Sequence, residues 1–167
     1  MELSMPGFAL RLSGSEKQTR RLSDLRDFFA DKATADNILK RGDPIIYEVH
    51  AKEAGNAGDL SYAVTVINPG DVAGEFYMTK GHFHRKPVGE VYLGLEGEGV
   101  LLLQDRAGKT KKLPIRPGEI AYVQKGFAHR AINTGKKQLK FLAVYPSDSG
   151  HDYTTIEKKG FKEVMRK

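Results

Sequence analysis

From Ile45 to Tyr145 the chain is cut into short runs of β-branched and aromatic residues by glycine- and proline-rich turns, at roughly 8–12-residue spacing. No other feature limits the fold as strongly. Ile45–Val49 and Leu60–Ile67 read as strands separated by a Gly-rich loop at 55–58, and Asn68-Pro69-Gly70-Asp71 reads as a turn. Phe76–His82 follows, then Glu90–Leu95 and Val100–Gln104, which flank Glu96-Gly97-Glu98-Gly99 as a hairpin. Lys111–Ile115, Ile120–Val123, Arg130–Asn133 and Leu139–Tyr145 complete the set. Many short strands at this spacing predict an all-β barrel or sandwich, and a double-sheet jelly roll fits best.

The chain before residue 45 reads differently. Residues 1–21 are polar and mixed, with no clear period. Ser23 is placed to cap a helix in which Leu25, Phe28 and Phe29 fall at i, i+3 and i+4 and form one apolar stripe. Gly42-Asp43-Pro44 ends that region, since proline disfavours helix at the residue before it. The expected organisation is an N-terminal extension with a short helix over 1–44 and a barrel with a C-terminal tail over 45–167, together one domain. A chain of 167 residues is long enough to bury about two-thirds of its unfolded surface.

Within the β body, His82 and His84 sit two apart. On a strand, side chains at i and i+2 share a face, so both imidazoles are expected to enter one interior. Glu90 opens the next apolar stretch and approaches from a neighbouring strand. His129 follows Pro117-Gly118 and Gly126 at the start of another. Imidazole and carboxylate are ligands for a first-row transition metal. Three nitrogens and one carboxylate leave two positions of an octahedral ion open, which points to catalysis rather than to a closed structural site. Four of the five histidines (82, 84, 129 and 151) lie in or just after the barrel; His50 reads as a surface or hydrogen-bonded core residue.

The net charge of +6 suggests an anionic partner. Basic clusters such as Lys109-Thr110-Lys111-Lys112 and Lys136-Lys137 fall at hairpin tips, where a solvated charge is the simpler reading. No recognition helix or interleaved aromatic–basic surface favours nucleic acid. A positive field that draws in a small phosphorylated metabolite explains the same balance. No apolar run approaches the ~20 residues of a membrane span. With no cysteine and no basic-then-apolar opening, a cytoplasmic protein is expected.

The stretch His82-x-His84-x(5)-Glu90-x(6)-Gly97 resembles the first cupin motif, and Pro117-Gly118-x(7)-Gly126-x(2)-His129-x(3)-Asn133 resembles the second. More narrowly, Thr79-Lys80-Gly81-His82-Phe83-His84, Glu90-Val91-Tyr92, Ala128-His129-Arg130 and Tyr145-Pro146-x(3)-Gly150-His151-Asp152-Tyr153 are similar to the archaeal cupin-type glucose-6-phosphate isomerases, over roughly residues 40–161. Two departures are the longer gap between His84 and Glu90 and a phenylalanine at 76 where the general pattern has glycine.

The resemblance implies a cupin double-stranded β-helix in which a homodimer interconverts glucose 6-phosphate and fructose 6-phosphate, in glycolysis and gluconeogenesis. It implies one divalent transition metal per subunit, Fe2+ first, with Ni2+, Mn2+, Co2+ or Zn2+ as alternatives. His82, His84, Glu90 and His129 are then the metal ligands, with Glu90, Tyr92 and His129 as catalytic residues. Thr65, Thr79, Gly81, Tyr145 and His151 are the expected phosphate donors. Lys80 alternates with Thr79 and is expected to point away from the interior, while Tyr92 shares a face with Glu90 and lines the pocket. Tyr145 and His151 fall in a segment where a loop can close over the site. Asn133 reads as structural, and Asp152 and Tyr153 as anchors of the tail.

Isomerisation moves hydrogen between adjacent carbons, and a carboxylate beside that carbon can carry the proton. A metal-assisted hydride shift would dispense with the base. Two other readings stand beside the isomerase: a metal cupin doing dioxygenase or decarboxylase chemistry, which needs no phosphate donors, and a non-catalytic sugar-binding cupin. An exposed N-terminal strand is a candidate for pairing across subunits.

Overall fold

A computed structural model describes residues 14–167; the reading of residues 1–13 as polar and aperiodic lies outside them. In chain order the strands are β1 (Glu16–Arg21), β2 (Ile45–Lys52), β3 (Leu60–Ile67), β4 (Asp71–Val72), β5 (Glu75–Phe76), β6 (Phe83–His84) and β7 (Glu90–Glu96). They continue with β8 (Gly99–Gln104), β9 (Thr110–Ile115), β10 (Ile120–Val123), β11 (Ala128–Asn133), β12 (Leu139–Pro146) and β13 (His151–Asp152). The short helices among the described residues are α1 (Leu22–Leu25), α2 (Lys32–Leu39) and α3 (Thr154–Lys159). A six-stranded antiparallel sheet runs β1-β2-β3-β12-β7-β10, beside a three-stranded sheet β11-β8-β9 and the short pairs β6–β13 and β4–β5. Neighbours distant in sequence, such as β3 with β12, are what a jelly roll produces. Among the described residues no helix is long and apolar enough to cross a membrane.

Strand register decides what the interior holds. Across β2, β3 and β12, Val49, Thr65 and Phe141 form one row, and Ala51, Ala63 and Ala143 form the row beside it. Period-2 alternation puts both rows on the inner face. Three alanines side by side leave space that larger residues would fill, and this is where the barrel stays open. Leu101, Leu102, Leu103, Ile115, Ile132 and Leu139, all buried, pack the closed part. Asn133 is structural, as expected: its side chain donates to the carbonyls of Ile67 and Lys137 and accepts from the Gly135 amide.

The N-terminal region departs from its sequence reading. Glu16–Arg21 is a strand paired with β2 inside the same chain. Ser23 lies within α1 rather than before it, and its hydroxyl donates to Asp43. The expected helix stops at Leu25 and passes into a 3-10 turn, Arg26–Phe28. The stripe is nonetheless apolar and inward, with Leu25 and Phe29 fully buried. Asp31, which accepts from the Thr34 amide at 2.8 Å, caps the second helix α2, which the sequence reading lacks. Phe76–His82 is not one strand either. Beyond β5 its backbone pairs with β11 as isolated bridges, Met78 with Ile132 and His82 with His129, rather than as a continuous ladder.

Candidate active site

Four elements bring the cluster together. Glu90 begins β7, His84 ends β6 and His129 is second in β11, while His82 is pinned by reciprocal backbone bonds with His129. One ligand atom from each of His82, His84, Glu90 and His129 lies within 4.8 Å of the others. Glu90 Oε2 is 3.0 Å from His84 Nε2 and 2.9 Å from His129 Nε2. The His129 contact is close but off the line of a hydrogen bond, so its Nε2 is buried without a partner. His82 Nε2 is likewise buried and unpartnered, although the residue as a whole is only half-buried.

On the far side of two rings, His84 Nδ1 meets the Val88 carbonyl at 3.3 Å and His129 Nδ1 meets the Phe127 carbonyl at 3.5 Å. A carbonyl only accepts, so Nδ1 carries the proton and Nε2 turns its lone pair inward. Lone pairs facing a carboxylate oxygen at 3 Å repel unless a cation lies among them. The donor set therefore fits a divalent metal ion. Burial, then the neighbouring His129 and His151, hold His82 well below its ordinary pKa, in the neutral form a ligand needs.

The cluster opens into a cavity of about 500 Å³. Thr65, Thr79, Gly81, Tyr92, Tyr145 and His151 line it together with His82, Glu90 and His129, while His84 stands behind. Thr79 Oγ1 accepts from the Ala131 amide at 3.1 Å, which leaves its own hydrogen free to donate to a ligand. Burial and the Glu90 carboxylate push the Tyr92 phenol well up, so it stays a donor. Tyr145 Oη donates to Glu53 Oε1 at 2.8 Å, a carboxylate that sequence reasoning omitted. Gly81 has φ +75°, and a Cβ there would lie 2.6 Å from the Phe161 ring and 2.9 Å from the His129 carbonyl oxygen. Only glycine fits.

Lys80 touches the cavity, but its Nζ lies over the Phe28 ring, 5.5 Å from the centre and away from the barrel interior, as expected. Several placements correct the sequence reading. Gln18 and Arg20 of β1 line the cavity as well. His151 sits in a strand, not a free loop, with β13 placing it directly opposite His84. Asp152 anchors the tail by accepting from Thr155, but Tyr153 also stacks on the His151 ring at 5.7 Å and lines the cavity. Its spacing two residues after His151 was the available signal. His50 lies on the outer sheet face, in the row of Val64, and takes no part.

The chain matches the glucose-6-phosphate isomerase (GPI) family over residues 19–165. It is similar to the glucose-6-phosphate isomerases of Pyrococcus horikoshii and Thermococcus kodakarensis, 46% identical over 156 residues in each case, covering 92% of this chain and 82% of each relative. A putative glucose-6-phosphate isomerase 2 of Rhizobium meliloti is 34% identical over 154 residues, 90% of this chain and 77% of the relative. Among solved structures, an oxalate oxidase aligns with TM-score 0.56 and 17% identity, over 66% of this chain and 56% of that one. Bacillus subtilis oxalate decarboxylase aligns with TM-score 0.51 and 20% identity, over 61% of this chain and 26% of that one. These two likenesses show the fold alone, the cupin barrel.

Proposed function

The chain belongs to the glucose-6-phosphate isomerase family, and we propose that it interconverts glucose 6-phosphate and fructose 6-phosphate in the cavity beside the His82–His84–Glu90–His129 cluster. The observation that carries this is the convergence of buried, unpartnered Nε2 atoms on a carboxylate, in a cavity whose other wall offers hydroxyl and amide donors. His82, His84, Glu90 and His129 would hold a divalent metal, Fe2+ first, with Ni2+, Mn2+, Co2+ or Zn2+ as alternatives. When bound, the metal supplies Lewis-acid polarisation of the sugar's oxygens. Glu90 carries the proton between the two carbons. Tyr92, two residues on along β7, donates a hydrogen bond to a sugar oxygen and orients it.

Thr65, Thr79, the Gly81 amide, Tyr145 and His151 bind the phosphate end. Glu53, Glu90 and Glu157 also face the cavity, so a dianionic phosphate needs positive charge as well as neutral donors. Arg20 lines the same cavity and forms no ion pair among the described residues. Replacing Thr79 by valine is expected to raise KM for fructose 6-phosphate about tenfold while kcat changes little, because phosphate binding is shared by ground and transition states. Steady-state kinetics on the metal-loaded protein checks this. An unchanged KM would remove Thr79 from the phosphate site.

A homodimer in the cytoplasm, acting in glycolysis and gluconeogenesis, belongs to the same proposal. The outer face of the six-stranded sheet suits a second copy of the chain. Ile120, Leu93, Leu142 and Val64 form one apolar row there, and Tyr122, Val91, Val144 and Tyr62 form another. The solvated face of an antiparallel sheet is ordinarily polar, whereas here Ile120 is 72% and Tyr122 56% exposed. In a chain of net charge +6, an uncharged patch is where two copies meet with least repulsion. Tyr122→Glu is expected to convert the dimer to an 18.5 kDa monomer in sedimentation velocity, with activity per chain retained. A wild type that already sediments as a monomer would end the dimer; a dimeric variant would move the interface elsewhere.

A further inference from the structure

Arg130 follows His129 in β11 and, by strand alternation, projects from the opposite face. It is only 5% exposed, and among the described residues no carboxylate forms an ion pair with it. A buried guanidinium without a counter-ion is expensive, so what it touches is informative. Two arms of its fork, Nε and Nη2, donate to the Lys80 carbonyl at 3.3 and 2.8 Å. Nη1 donates to Met78 Sδ at 3.1 Å, and the guanidinium lies 4.5 Å from the Phe161 ring centre.

The segment thus gripped carries much of the site. Its two ends are tied to β11 by backbone bonds, Thr79 to Ala131 at 2.9 Å and His82 to His129 at 3.3 and 3.1 Å. Between those ties lie Lys80 and Gly81, where the positive φ of Gly81 bends the chain. Arg130 holds the middle of the bend through the Lys80 carbonyl. Phe161, which stacks on Arg130, is also the ring that a Cβ on Gly81 would strike.

We infer that Arg130 is a positioning residue: its fork on the Lys80 carbonyl fixes the Thr79–His82 bend, and so sets where the Thr79 hydroxyl and Gly81 amide stand relative to His82. This deepens the isomerase reading and rests on it for the identity of the anion. His82 keeps its own backbone ties, so the clamp acts mainly on the phosphate end. A lysine can offer one N–H to the carbonyl but neither the fork nor the planar stack.

The test uses the metal-loaded full chain and the variants Arg130→Met and Arg130→Lys. Arg130→Met is expected to raise KM for fructose 6-phosphate about tenfold, with kcat within about threefold and metal content unchanged. Arg130→Lys should fall between it and wild type. The dissociation constant of inorganic phosphate, measured by titration calorimetry, should weaken in step with KM. A KM and phosphate affinity unchanged in folded Arg130→Lys and Arg130→Met would overturn the inference. So would a fall in kcat alone, proportional to the folded fraction, which is what a merely structural role gives. If Arg130→Met does not fold, Arg130→Lys decides by the same readouts. Absent turnover in the wild type would instead defeat the isomerase reading, while the phosphate comparison would still judge the clamp.

Discussion

Replacing Glu90 by glutamine is expected to lower kcat for fructose 6-phosphate by ~10²–10⁴-fold, the span attributed to a positioned acid–base group. Glutamine keeps the shape of the side chain but removes both the negative charge on which two imidazoles converge and the group that takes a proton. The same residue separates the two chemical routes. If Glu90 carries the proton, isomerisation in heavy water places solvent deuterium on the product carbon, and the variant loses turnover and exchange together. A wild type that isomerises with no deuterium entering the product moves hydrogen directly between carbons, which leaves Glu90 as a ligand only. Retention of most of the wild-type kcat by Glu90→Gln would remove it from both roles.

His129→Ala should have a comparably large effect by a different path. His129 faces Glu90, lies with its ring centre 4.4 Å from that of His82, and has its Nε2 buried and unpartnered. Losing a ligand is expected to weaken metal affinity more than the 10–100-fold that supporting partners cost, and turnover should fall below detection. Metal at about a hundred times its Kd stabilises a protein by about 2.7 kcal/mol, a rise in Tm of roughly 5–10 °C for a domain of this length. Calorimetry with and without added metal should show that rise in the wild type and lose it in His129→Ala. An equal rise in both proteins would place the metal elsewhere.

The cluster was legible because its members are rare residue types at fixed spacing. His82, His84, Glu90 and His129 needed only a barrel to bring them together, and the β-strand pattern supplied one. What sequence reading lost was polar. The inward residues of β1 are Gln18 and Arg20, which line the cavity, so the strand has no apolar alternation to detect. At the bend held by Gly81 and Arg130, Thr79 faces the cavity while the Lys80 ammonium lies over the Phe28 ring. Arg130 itself appeared only as one letter of a motif, since nothing local reveals that its partner is a backbone carbonyl 50 residues earlier.

The helical entry shows the converse. Leu25, Phe28 and Phe29 were read as one apolar stripe, and Leu25 and Phe29 are buried with Phe28 packed against the same core, but a 3-10 turn interrupts the expected helix. Asp31, with its side chain on the Thr34 amide, was a capping signal placed three residues before it.

The most direct test of metal-dependent isomerisation is turnover of fructose 6-phosphate by chelator-treated protein, before and after adding back Fe2+, Mn2+, Ni2+ or Zn2+. The expected result is negligible glucose 6-phosphate formation in the stripped protein and restored turnover with at least one ion at about one equivalent per chain. Undiminished turnover in protein shown to be metal-free, or none with any ion despite confirmed binding, would contradict it.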